Sequence, residues 1–231
     1  MKRRVAGFAW LVVLALTTAC APPPAVGAGA EPAVNEPYRD PDYESWVQRF
    51  ERPGREVYDR RLDILQASGV APGMTVADIG AGTGLFVRLF AKEVGPAGKV
   101  YAVDISKNFI DNVLRTAREQ GLANVTGIVN TQTDTKLPAQ SVDLAFSSDA
   151  YHHFEHPREM LSSIHRALKP GGRLVVIDFR REPGRSSAWV LGHVRLGRDE
   201  AVREIEAAGF RLIEDRDFLR ENYFLKFEKA G

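Results

Sequence analysis

Along this chain the spacing of apolar positions switches repeatedly between strand-like and helix-like, and the switches mark out elements. Residues 74–79, 99–103, 125–129, 142–147 and 173–179 are short apolar runs, the last strongly β-branched, and read as buried strands. Between them the period becomes helical. Phe86, Leu89, Phe90 and Val94 share one stripe of a helix over 85–94, and Ile110, Val113, Leu114 and Ala117 share another that Ser106 can cap and Gly121 ends. Pro157 fits the first turn of a third helix carrying Leu161, Ile164 and Leu168, stopped by Lys169, Pro170, Gly171 and Gly172. Five such alternations predict a doubly wound α/β sheet, mostly parallel.

The two ends of the body break this rhythm. Upstream, 41–69 reads as two helical pieces, one with Trp46 and Phe50 and one with Tyr58, Leu62 and Leu65 facing inward, separated by Pro53 and Gly54. Downstream, a helix over 199–208 ends at Gly209, and the runs 210–218 and 223–228 are close enough for a hairpin. The expected fold is therefore seven-stranded, with its last strand antiparallel.

The first forty residues have a different composition. Lys2, Arg3 and Arg4 precede an apolar run over 5–16, which is too short to span a bilayer, since spanning takes roughly 20 apolar residues. Thr17, Thr18 and Ala19 then lead to Cys20, the only cysteine. The segment reads as an export signal. It resembles a bacterial lipoprotein signal, with Cys20 as the lipidated residue, although Thr17 stands where that motif usually has leucine. Residues 21–40 are rich in Pro, Ala and Gly at their start and read as a tether, which leaves 41–231 as the functional domain. These features predict an exported chain, anchored to a membrane through Cys20 or free in the periplasm. A misplaced start would make it cytoplasmic.

Charge narrows the partners. The net charge is +1, but three of the 31 basic residues lie in the signal, so the body is slightly acidic against its 30 Asp and Glu. That is no electrostatic footprint for nucleic acid, and a single cysteine excludes an internal disulfide framework.

The candidate chemistry sits at the ends of the expected strands. Asp78, Gly80, Gly82 and Gly84 follow the first strand and open a helix, and Asp104 ends the second strand 20 residues beyond Gly84. Glycines there let a ligand approach the backbone, and a carboxylate there accepts ribose hydroxyls, so the spacing predicts a nucleoside-binding crevice. The dinucleotide fingerprint needs a third glycine where Leu85 stands. That spacing disfavours a nicotinamide dinucleotide and is compatible with S-adenosyl-L-methionine (SAM), which has no pyrophosphate.

Four stretches in order, VADIGAGTG (76–84), VYAVDIS (100–106), SVDLAFSSDAYHHF (141–154) and ALKPGGRLVVIDF (167–179), make residues 55–228 resemble the class I SAM-dependent methyltransferases. The resemblance implies a Rossmann-like methyltransferase fold, SAM as cofactor, and methyl transfer to an acceptor. It places Asp78, Gly80, Gly82 and Gly84 at the methionine end of SAM, Asp104 on the ribose and Ile105 on the adenine. Asp134 is the available acid for the adenine amino group, though it sits later than the family's usual position.

His152 and His153, with Asp149 and Tyr151 at the mouth of the cleft, are candidates for a general base or orienting group. His193 and Arg195 are candidates for the acceptor pocket. No metal is expected, because adjacent residues such as His152 and His153 should point apart. Trp46, Phe50 and Tyr58 belong either to a lid or to the apolar face of a docking helix. The acceptor is expected to be a small molecule. The alternative is a SAM-binding module without catalysis, held at the membrane by its anchor.

Overall fold

The computed structural model describes residues 29–230. The expected export signal, Cys20 and the first part of the expected tether lie outside these residues.

Five strands and their crossover helices form the body. Strands β1 (Thr75–Ile79), β2 (Lys99–Asp104), β3 (Val125–Val129), β4 (Val142–Ser148) and β5 (Leu168–Phe179) are parallel. Helices α5 (Leu85–Val94), α6 (Lys107–Glu119) and α7 (Pro157–Ala167) cross between them, and helix α9 (Arg198–Ala207) leads to β6 (Phe210–Arg216). The final strand β7 (Asn222–Lys229) inserts between β5 and β6, antiparallel to both, giving the order β3-β2-β1-β4-β5-β7-β6. The sheet is the seven-stranded, mostly parallel one expected, with its last strand reversed.

The apolar runs of the strands are continuous because both faces of the sheet are covered. Side chains alternate across the pleat. Ala77, Tyr101, Val103, Leu174 and Val176 face Leu161 and Ile164 of α7 and Ala201 and Ile205 of α9. Val76, Val100, Ala102, Val175 and Ile177 face Phe86, Phe90 and Val94 of α5 and Val113 of α6. Chain order reverses at β1, which lies between β2 and β4. That reversal opens a crevice beyond the carboxyl ends of the strands, where open α/β sheets bind ligands.

Four short helices precede the sheet: α1 (Pro32–Arg39), α2 (Tyr43–Phe50), α3 (Glu56–Asp59) and α4 (Arg61–Ser68). Two expectations change here. The end of the supposed tether is helix α1, with Pro32 at its first turn, docked by Asn35, whose side chain is buried and donates to His153 O (3.0 Å) and Glu155 Oε1 (2.7 Å). Composition argued against structure there, but tertiary hydrogen bonds supply what propensity lacks. In α4 the buried face runs through Ile64 and Ala67, while Leu62 is 60% exposed. That helix carries leucine or isoleucine on several sides, so periodicity alone does not select its inner face.

Two further differences concern β5 and the segment after it. Strand β5 begins at Leu168, with the Lys169–Gly172 turn residues inside it and a register shift against β4 between Val142 and Leu144. A six-residue helix, α8 (Ala188–His193), capped by Ser187, lies where no element was expected.

Candidate active site

The glycine bend is built from β1 outward. Gly80 N and Ala81 N both donate to Val103 O (2.9 and 3.0 Å), which ties the bend to the neighbouring strand β2. Gly80 has φ +76°, and a Cβ there would lie 2.4 Å from the Cβ of Ala150. Only glycine fits such a left-handed, close-packed position. Asp104, at the end of β2, accepts from Gly82 N through Oδ2 and from Ser106 N through Oδ1, each at 2.8 Å. The bend and the carboxylate therefore form one unit.

This unit forms one wall of a cavity of about 530 Å³, where Asp78 and Ile105 join Gly80, Gly82 and Asp104 in the lining. The volume falls within the roughly 300–1,000 Å³ usual for small-ligand sites. Asp78 is 3% exposed, and burial, then Asp104, pushes its pKa up to about 8. Burial raises Asp104 to about 6 against the pull of its backbone donors. No basic side chain pairs with Asp78 among the described residues.

Asp134 is elsewhere. It is half exposed, salt-bridged to Arg166 and bonded to Ser163 and Lys136 N, and it does not line the cavity. Asn130 stands on the cavity wall instead, its backbone N–H bonded to Asp104 O and its Oδ1 buried without a partner. No local signal distinguishes Asn130 from the other polar residues of that loop.

Helices α1 and α2 cover the opening, where Tyr38, Trp46 and Phe50 line the cavity and Tyr58 does not. The rings of Tyr38 and Trp46 lie 4.7 Å apart, and those of Trp46 and Phe50 4.9 Å apart. Arg55 fastens this lid to the sheet. It donates to Phe50 O and pairs with the buried carboxylate of Asp149 at 2.5 Å, while Asn222 Nδ2 donates to the other oxygen of Asp149. Burial raises the Asp149 pKa, with Arg55 acting against it.

At the far wall, a 3-10 turn at Tyr151–His153 follows β4. His152 is 2% exposed. Its Nδ1 bonds Asp178 Oδ1 at 2.7 Å and its backbone N–H donates to Oδ2, leaving Nε2 buried without a partner. Sequence reasoning missed Asp178, although an acid at the carboxyl end of a buried β-branched strand was a usable signal. His153 Nδ1 bonds Asn35 Oδ1 at 2.8 Å. Burial, then His152 and His193, lowers its pKa to about 2.

The adjacent imidazoles do not point apart. Their ring centroids are 4.1 Å apart, because successive residues on a tight turn do not alternate as they do on a strand. His193, on α8, brings a third ring within 5.2 Å of both. Arg195 does not join it in an acceptor pocket. It forms a buried bidentate pair with Glu204 (2.6 and 3.0 Å), which also accepts from Tyr151 Oη at 2.5 Å. That cluster braces α9 against the 3-10 turn.

With this geometry in place, comparisons with known proteins agree on one family. A methyltransferase-domain family profile matches residues 71–209. The chain is 31% identical over 167 residues to the ubiquinone/menaquinone biosynthesis C-methyltransferase UbiE of Bordetella avium, covering 67% of this chain and 63% of that one. It is 30% identical over 131 residues to phosphoethanolamine N-methyltransferase 2 of Caenorhabditis elegans, covering 56% of this chain and 30% of that one. The chain thus spans less than two thirds of the length of either curated relative. The crystal structure of a SAM-dependent methyltransferase from Aquifex aeolicus superposes with a TM-score of 0.72 at 26% identity, over 80% of this chain and 98% of that one.

Proposed function

We propose that this chain, which belongs to the methyltransferase-domain family, binds SAM in the crevice beyond β1 and transfers its methyl group to a small-molecule acceptor. The observation that carries the reading is the hydrogen bond from Gly82 N to Asp104 Oδ2, which makes the bend and the carboxylate one nucleoside cradle beside an open cavity. The residues present fit the cofactor. Asp104 is positioned to accept from ribose hydroxyls, Ile105 to pack on the adenine, and the orphaned Asn130 Oδ1 to accept from the adenine amino group. Asp78, buried without a basic partner, suits the cationic methionine end.

SAM, when bound, supplies an already reactive methyl sulfonium. The chain's contribution is to hold the acceptor at attack distance and to keep water away, positioning worth up to roughly 7–11 kcal/mol. Tyr38, Trp46 and Phe50 line the cavity from helices α1 and α2, and Arg55 ties that cover to the sheet through Asp149. His152, oriented by Asp178, presents its unpartnered Nε2 at the acceptor end of the cavity. The two curated relatives are named for transfer to carbon and to nitrogen, so family membership leaves the acceptor atom open.

The reading predicts saturable SAM binding and transfer of labelled methyl to a member of a panel of phenols, enols, amines and thiols. Binding without turnover on every acceptor class would favour the non-catalytic module, and absence of binding at millimolar SAM would end both. The same proposal takes residues 1–20 as an export signal and Cys20 as a lipid attachment site, supported by the basic, apolar and small-residue order of that segment. Membrane association that Cys20→Ser abolishes supports it. A chain made without residues 1–20 and still found at the membrane contradicts it.

A further inference from the structure

We propose that His152, His153 and His193 form a binding site for a divalent transition-metal ion of the zinc type at the acceptor end of the cleft. The site rests on the reading above only for its role, and its existence is independent of SAM. One ligand nitrogen from each ring lies within 4.8 Å of the others. A tetrahedral zinc centre with bonds of about 2.0–2.1 Å needs ring nitrogens roughly 3.3–3.4 Å apart, so the rings must close by at most about 1.5 Å.

Each imidazole is held by a different residue. Asp178 accepts at His152 Nδ1, Asn35 Oδ1 lies 2.8 Å from His153 Nδ1, and Trp189 stacks on His193 with centroids 4.4 Å apart. A carboxylate bonded to the far nitrogen of a histidine is the arrangement that orients metal ligands and raises their basicity. The nitrogens left over support the same assignment. His152 Nε2 and His193 Nε2 are both buried and have no hydrogen-bond partner. Buried polar atoms normally find a partner, and two unpartnered nitrogens in one cluster are what a ligand-binding group presents.

Three neutral imidazoles without a thiolate or a directly ligating carboxylate select zinc, copper, nickel or iron over magnesium or calcium. His152 and His153 line the cavity, so three protein ligands leave a fourth position facing it. Water or a heteroatom of the acceptor would take that position, which narrows the acceptor to molecules carrying a hydroxyl, enol, thiol or amine. The expectation of no metal rested on adjacent histidines diverging, and the 3-10 turn removes that premise.

The test uses the full chain without a histidine tag, stripped with a chelator and titrated with Zn²⁺ against a chromophoric competitor. One ion per chain is expected. Asp178→Asn should weaken it by about 10–100-fold, as loss of an orienting partner does. His193→Ala should weaken it further, and His165→Ala, on the surface of α7, should leave it unchanged. Because a variant can misfold, Co²⁺ is added to the unmodified chain as well, and an intense visible band of four-coordinate cobalt is expected. A six-coordinate cobalt spectrum overturns the proposal. So does zinc binding that His165→Ala weakens as much as His193→Ala. S-adenosylhomocysteine titration in the presence of chelator separates the two claims. Zinc binding without nucleoside binding would uphold this site and sink the proposed function, and the opposite pattern would do the reverse.

Discussion

Replacing Asp78 with asparagine tests the electrostatics of the crevice without changing its shape. Asp78 is buried on β1, and its pKa is pushed up to about 8, first by burial and then by Asp104. In the unfolded chain the same carboxyl returns to the usual range near 4. Between those values the folded protein holds a proton that the unfolded chain has released. Stability therefore falls as pH rises from about 4 to about 8, by up to about 1.4 kcal/mol per pH unit from this group, and levels off above. Asp104, raised to about 6, adds a slope of the same sign between about 4 and 6.

Asparagine keeps an acceptor for the Val87 N–H and cannot ionise. Asp78→Asn should approach the wild type below about pH 4 and exceed its stability at pH 8 by several kcal/mol. Urea unfolding at half-unit pH steps measures both. Parallel stability–pH curves for the two proteins would mean that Asp78 is already ionised when folded, and the argument fails. Binding should move the opposite way. A cationic ligand favours the carboxylate, so wild-type affinity for SAM should strengthen as pH rises toward 8, and Asp78→Asn should bind weakly with a flatter profile.

Other perturbations follow from contacts in the bend and the lid. Gly80→Ala places a Cβ 2.4 Å from that of Ala150 at φ +76°, and should cost about 2–4 kcal/mol in urea unfolding. Gly73→Ala has a similar φ with nothing within 4 Å, and should cost only about 1 kcal/mol. Equal losses at the two positions would refute the close-packing argument. Arg55→Ala leaves the Asp149 carboxylate buried with only Asn222 as a side-chain partner, and should cost about 2–4 kcal/mol. Adding Asp149→Asn should recover part of that loss, and an additive double variant would contradict the pairing.

The sheet was legible because its strands are buried on both faces, so runs such as 100–103 and 174–177 are apolar throughout and short. The bend and Asp104 were legible because their spacing is fixed by strand and helix lengths, which are local. What sequence missed depends on distant partners. Nothing near Asn35 announces that it will bond His153, 118 residues away. Arg195 reads as a cavity residue until Glu204 and Tyr151 claim it. In the loop after β3, one acid and several polar residues compete, and only the path of the chain brings Asn130 to the cavity wall and sends Asp134 to Arg166. The histidine cluster was half visible. His152 and His153 were found by adjacency, while their approach to His193 depends on a six-residue helix with too little periodicity to detect.

The central claim is that the glycine bend and Asp104 jointly hold one nucleoside. A crystal structure of the chain with S-adenosylhomocysteine tests it most directly. The account predicts both ribose hydroxyls within hydrogen-bond distance of the Asp104 carboxylate, adenine against Ile105, and Gly82 N still bonded to Asp104. A ligand seated elsewhere, or an Asp104 side chain turned away from a bound ribose, would contradict it.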